Sequence, residues 1–230
     1  MSFKSSQRSV STSHAEGGMV RGIENLGLND KLKPAVVLAE RLPLSQPRLY
    51  FTGLPQSATL AQVQQVFQPY QGTNVKLSGK GKPGFTRGQV DFPTVVDAEF
   101  VFATLHGTAV TFLGADTILY LSPSETVDPY KRAIELSQPK LIIRQLPKCT
   151  DAKSLYLLFR TLGHIFSCRL AYNNRGEPRD YAVLQYLKPD LNDQAIMEFN
   201  LIEYMGNNIT VENFLNKDRK FTPRLGQRVP

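Results

Sequence analysis

From Arg48 onward, short apolar runs alternate with stretches in which apolar residues recur every three or four positions, and the whole pattern occurs twice. The first pass opens on Leu49-Tyr50-Phe51-Thr52-Gly53-Leu54-Pro55, an apolar run stopped by proline, which predicts a strand. Leu60, Val63, Val66 and Phe67 then fall at helical spacing, with a break at Tyr70 to Gly72. Strands are expected around Asn74 to Leu77 and Phe85 to Phe92. Ala98, Val101, Phe102 and Leu105 mark a second helix ending near Gly107, and a last strand is expected at Thr117 to Leu121. The predicted order is β-α-β-β-α-β.

The second pass repeats it. Leu141 to Pro147 predicts a strand, and Leu155, Leu158, Phe159 and Leu162 a helix closed by Gly163. Strands follow at Ile165 to Tyr172 and Arg179 to Tyr186, then a helix carrying Ala195, Ile196, Phe199 and Ile202, then a strand at Ile209 to Phe214. Leu49 and Leu141, Phe67 and Phe159, and Leu54-Pro55 and Leu146-Pro147 correspond at one fixed offset, which marks an internal duplication. Each copy is expected to be an α+β, ferredoxin-like βαββαβ domain. In that arrangement two helices bury their apolar stripes on one face of a four-stranded antiparallel sheet, and the other face stays open. Phe67, Phe159 and Cys168 are expected in the cores.

The expected boundaries are residues 47–123 and 140–216 for the two domains, with 124–139 as linker. The Ser-rich stretch 1–46 and the basic stretch 217–230 lack an apolar period and are expected to be disordered tails. Asp128-Pro129 in the linker is a helix-start signature, so a short helix there would offer Tyr130, Lys131 and Arg132.

The formal charge of +7 suggests a polyanionic partner, but its distribution changes that picture. Residues 1–48 hold 7 basic and 4 acidic side chains and residues 217–230 hold 5 and 1, leaving 15 of each between. The excess lies in the tails, where Lys217, Arg219 and Lys220 sit, so salt-sensitive attraction is expected there rather than from a basic groove. No apolar run is long enough to span a membrane and no charged-then-apolar leader opens the sequence, so a nuclear or cytoplasmic protein is expected.

The first and third strands of each copy resemble the two signature segments of the RNA recognition motif (RRM) family. Leu49 to Leu54 matches the six-residue segment, with Tyr50 at its stacking place and Thr52 beside it on the same face. Phe85-Thr86-Arg87-Gly88-Gln89-Val90-Asp91-Phe92 is a degenerate eight-residue segment, in which Arg87 and Gln89 replace the two stacking aromatics and Phe85 takes a usually basic place. In the second copy Ile142 replaces the first-strand aromatic. Arg179 to Tyr186 fits the longer segment better, with Arg179 at the basic place, Tyr181 at a stacking place and Val183 where the other aromatic is lost.

The resemblance implies non-catalytic binding of single-stranded RNA, with unpaired bases stacked on open sheets, in mRNA processing or post-transcriptional control. The residues implicated are Tyr50, Thr52, Lys76, Phe85, Arg87, Gln89, Arg144, Arg169, Arg179 and Tyr181, with weaker contact from Tyr130, Lys131, Arg132 and the tail residues named above. Tyr120 is a further platform only if alternation turns it to the open face. The rival reading is a protein-interaction module in a ribonucleoprotein, with Ile142 and Val183 on an apolar docking surface. A monomer without cofactor or metal is expected: the three histidines have no metal-spaced partners, and Cys149 and Cys168 fit no zinc site. Gly79 to Gly84 spells G-x-G-x-x-G, but it leads into a strand and contains a proline, which excludes a dinucleotide fingerprint.

Overall fold

The computed structural model describes residues 44–80, 85–112, 115–125, 139–173 and 175–215. The chain runs β1 (Arg48–Pro55), α1 (Leu60–Phe67), a 3-10 turn (Gln68–Tyr70), β2 (Thr73–Lys80), β3 (Phe85–Asp91), α2 (Val95–Leu105), β4 (Thr108–Phe112) and β5 (Ala115–Ser122). It continues through β6 (Leu141–Arg144), α3 (Ala152–Arg160), β7 (Ile165–Tyr172), β8 (Pro178–Tyr186), α4 (Leu191–Phe199), the short pair β9 (Glu203–Tyr204) and β10 (Asn207–Asn208), and β11 (Thr210–Asn213).

Local chemistry fixes the helix starts. Thr59 and Gln62 form a reciprocal capping box at α1, Thr94 accepts from Asp97 N at α2, and Asp151 accepts from Lys153 N and Ser154 N at α3. The strands assemble into two larger antiparallel sheets, β2-β3-β1-β5-β4 and β11-β6-β8-β7, and the separate two-stranded pair β9–β10. Besides the β9–β10 pair, the duplicated α+β plan holds with one addition. Thr108–Phe112, between the expected second helix and last strand, is a fifth strand on the edge of the first sheet, and its burial alternates as a half-buried strand should. Phe67 and Phe159 are fully buried and Cys168 is nearly so.

Gly53 interrupts β1 with φ +97°, and the register of β1 against β3 shifts between Phe51 and Leu54. A Cβ there would lie 2.1 Å from the Ile118 carbonyl oxygen, so only glycine lets β5 pass this closely. Gly88 on β3 is equally constrained, since a Cβ would meet Lys76 O at 2.2 Å and the Phe51 ring at 2.4 Å.

The two units share one continuous apolar core. Helix α2 presents Ala98, Val101 and Leu105 at helical spacing, and its other faces are buried as well, including Glu99, Phe100, Ala103 and Thr104. A helix that is apolar nearly all round has to be covered on both sides. The second unit does the covering: the Phe100 ring lies 5.4 Å from Tyr156 of α3, and Phe102 lies 5.8 Å from Phe166 of β7. Polar bonds border this contact. Arg160 Nη2 bonds Glu99 Oε2 at 3.0 Å, Lys153 Nζ bonds Asp97 Oδ1 at 2.8 Å, and the Leu44 backbone N–H donates to Glu99 Oε1 at 3.1 Å.

Candidate nucleic-acid interface

Register places the first sheet's open-face side chains in rows across the strands. Lys76 on β2 pairs with Gln89 on β3, Gln89 with Tyr50 on β1, and Tyr50 with Ser122 on β5, so these four form one row. Thr52 pairs with Tyr120 in the next row, which turns Tyr120 to the open face. Arg87 lies two residues before Gln89 on β3 and so shares that face. Burial on β3 alternates accordingly: Phe85 and Arg87 are exposed and Gln89 is half-buried, whereas Thr86, Gly88 and Val90 are buried. Lys76 is exposed, Tyr50 and Tyr120 half-buried, and Thr52 lies low in the sheet. This surface offers an aromatic ring, a neutral amide edge and two cations within a few strand spacings, which is what stacking, edge hydrogen bonding and phosphate pairing need.

The row is anchored at its end. Arg48 makes two bonds to Asp91, Nε to Oδ1 at 2.6 Å and Nη2 to Oδ2 at 3.0 Å, clamping β1 to β3 just before Tyr50. The Arg48 hydrogen bond holds the Asp91 carboxyl below its ordinary value of 3.8, and Asp91 in turn raises the Arg48 guanidinium. Beside Tyr50 opens a cleft of about 500 Å³, walled by Leu44, Ser45 and Gln46 ahead of β1 and by Pro123 and Ser124 after β5. Nothing in the sequence reading pointed to this cleft, because its walls are loop residues that only the fold brings together.

The second sheet is arranged differently. Arg144 pairs with Tyr181, Ile142 with Val183, and Arg169 with Val183, so the expected clustering of Arg144, Arg169 and Tyr181 on one face is present in the register. Their exposure departs from an open platform. Tyr181 is 6% exposed and packs with Ile142 and Ala171, while Arg169 Nη2 bonds the backbone oxygen of His106 in the first unit. Arg144 is half-buried and Arg179 is exposed at the start of β8. The departure accompanies the packing of the first unit against β7, through Arg169 and Phe166. Tyr130, Lys131, Arg132, Lys217, Arg219 and Lys220, with most of the expected tails and linker, lie outside the described residues, but Leu44, expected in the disordered tail, is buried against the first unit. Among the described residues no cluster of metal-ligating side chains occurs and no helix is long and apolar enough to cross a membrane. The G-x-G-x-x-G run lies in the β2–β3 connection, strand to strand.

A four-stranded antiparallel sheet in the order β11-β6-β8-β7, with α3 and α4 supplied by the intervening segments, is the split βαβ architecture of RNA recognition domains. Residues 141–210 match the sequence profile of the family described as RNA recognition motif. A curated relative, "Multiple RNA-binding domain-containing protein 1" of Kluyveromyces lactis, is 25% identical over 181 residues, 74% of this chain; the match spans 20% of that protein's length. Similar solved structures include the Sex-lethal RNA recognition domains 1 and 2 of Drosophila melanogaster (21% identity, 72% of this chain and 98% of that chain, TM-score 0.32). Another is the first two RRM domains of yeast poly(U) binding protein (16% identity, 74% and 99%, TM-score 0.34).

Proposed function

We propose that this chain binds single-stranded RNA without catalysis, and that the open face of its first sheet does the reading. The observation that carries this is the row Lys76–Gln89–Tyr50–Ser122, with Arg87, Thr52 and Tyr120 beside it. An unpaired base stacks on Tyr50, Gln89 meets a base edge, and Lys76 and Arg87 meet phosphates. The match of residues 141–210 to the RNA recognition motif profile and a relative named for RNA-binding domains support the reading. The role this fits is mRNA processing or post-transcriptional regulation in nucleus or cytoplasm, within domains spanning about residues 47–123 and 140–216.

The burial of Ile142 and Tyr181 favours a different role for the second unit. Its sheet face does not present Tyr181 for base stacking, so RNA reading is assigned to the first unit. The test is a titration of the full chain with a pool of short single-stranded RNAs at physiological salt, followed by nuclear magnetic resonance. Micromolar or tighter binding with shifts at Tyr50, Gln89 and Tyr120 is expected. Binding that leaves those signals unmoved overturns the proposal.

A further inference from the structure

Ahead of β1, the exposed residues Ser45 and Gln46 are strung between two fixed points. On one side the Phe92 N–H donates to the Pro47 carbonyl at 2.7 Å. On the other Leu44 is buried, and its N–H donates to Glu99 Oε1 at 3.1 Å. The facing wall follows β5, where Ser122 Oγ donates to the Ser124 carbonyl at 2.7 Å and accepts from the Ser124 N–H. Between the walls lies the cleft of about 500 Å³ beside Tyr50, a size within the roughly 300–1,000 Å³ of small-ligand pockets. Its lining suits a base better than a phosphate. Arg48 is the charged side chain that lines it, and Asp91 already engages that guanidinium through two hydrogen bonds. What remains is the Tyr50 ring, apolar surface from Leu44 and Pro123, and neutral polar groups on Ser45, Gln46 and Ser124. A flat ring with hydrogen-bonding edges meets that set, whereas an anion finds no cation there that is not already paired.

Glu99 ties one wall of this cleft to the second unit. Its Oε1 holds the Leu44 N–H, and its Oε2 accepts from Arg160 Nη2 at 3.0 Å and Nε at 3.3 Å. A carboxylate 4% exposed keeps its charge inside only while a cation answers it. Arg160 supplies that cation from α3, so the second unit secures the group on which Leu44 hangs. We propose that the cleft is a base subsite for the nucleotide next to the one stacked on Tyr50, selective through Ser45, Gln46 and Ser124, and that Arg160 keeps its wall in place through Glu99. This rests on the reading of the first sheet as an RNA-binding face, and it adds to that face a pocket outside the strands. Glu99 and Arg160 touch no nucleotide and act as positioning residues. The second unit thereby takes part in recognition without offering a stacking platform of its own.

The experiment titrates the full-length chain with the hexanucleotides of adenylate, uridylate and cytidylate, read by nuclear magnetic resonance. Shifts at Ser45, Gln46 and Ser124 are expected together with those at Tyr50. Shifts at Tyr50 and Gln89 with none at Ser45, Gln46 and Ser124 overturn the inference and leave the reading of the sheet standing. Absence of binding, or binding that moves neither set, overturns both. Arg160→Ala is expected to weaken the best-bound hexanucleotide about three- to tenfold and to abolish the Ser45 and Gln46 shifts, and Arg160→Lys to recover most of both. Gln46→Ala, at an exposed position, is expected to weaken that hexanucleotide to a like extent with the melting temperature unchanged. Wild-type affinity in Gln46→Ala overturns the inference, as does an Arg160→Ala chain that keeps the Ser45 and Gln46 shifts. A loss that Arg160→Lys fails to recover marks a packing role alone and overturns it equally.

Discussion

Arg160 of α3 and Glu99 of α2 meet at 3.0 Å across the boundary between the two units, and Glu99 is 4% exposed. A carboxylate so buried is stable only with its partners in place, since an unpaired buried charge is expensive. Removing Arg160 by alanine substitution leaves Glu99 with the Leu44 N–H and His164, whose Nδ1 lies 3.4 Å away. A double-mutant cycle of Glu99→Ala and Arg160→Ala, read by urea unfolding, is expected to give a coupling energy of about 1–3 kcal/mol. A coupling near zero would mean that the units do not pack this way in solution.

Tyr50 and Tyr181 are the stacking-place aromatics of the two units' signature segments, on a first and a third strand respectively, yet predict opposite phenotypes. Tyr50→Ala removes a half-buried ring from the open face, so RNA affinity should fall by about 1–3 kcal/mol with little change in melting temperature. Tyr181→Ala hollows a buried cluster and should cost about 2–4 kcal/mol of stability. Paired measurements of RNA affinity and thermal unfolding check both, and a stable Tyr181→Ala protein would contradict the burial.

Lys76 and Arg87 are exposed cations on the open face of the first sheet. Neutralising either to alanine should weaken RNA binding across all sequences and reduce the slope of log K against log salt by about 1. The check is affinity measured at several salt concentrations. An unchanged slope would remove that side chain from the list of phosphate contacts.

Acid should loosen the clamp at the end of the row. The Arg48 hydrogen bond lowers the folded-state pKa of Asp91 below its ordinary 3.8, so the group contributes stability that is present above that value. The contribution is lost as pH falls through the lower, folded value. Asp97 behaves alike, through its hydrogen bond from Lys153 across the unit boundary. Wild-type stability should therefore decline below about pH 4. In the Asp91→Asn, Asp97→Asn double variant the decline should be shallower, which melting curves between pH 2 and 6 would register.

The thiols should differ sharply. Burial pushes the Cys168 thiol up to about 12, whereas Cys149 is exposed. A neutral-pH thiol reagent is expected to label Cys149 alone in the native chain and both cysteines in denaturant. Rapid native labelling of Cys168 would contradict its place in the core.

The duplication was legible because strand and helix periods are set by local burial, and Leu49/Leu141 and Phe67/Phe159 obey the same local rules. The fifth strand was not. Thr108–Phe112 alternates correctly, but it follows directly on α2 at a place where one connection suffices, and only pairing with β5 gives it a purpose. The row Lys76–Gln89–Tyr50 followed from alternation, since face is a matter of parity along each strand. The covering of Tyr181 did not, because parity assigns a face without saying what lies over it. A signal for the packed units was present in Val95-Val96-Asp97-Ala98-Glu99-Phe100-Val101-Phe102, which is too apolar for a helix with a wet side.

That sandwiched helix bears on how the chain comes apart. Repeated domains on a loose tether unfold independently, each at its own temperature. Here Phe100 and Phe102 of the first copy are sealed by Tyr156 and Phe166 of the second, so severing the chain between the copies would leave each half with a raw aromatic seam. After the duplication the two copies no longer remained interchangeable beads: one surrendered the outer side of its second helix and the other an edge of its sheet. The pair should melt in a single calorimetric step, as one object made from two.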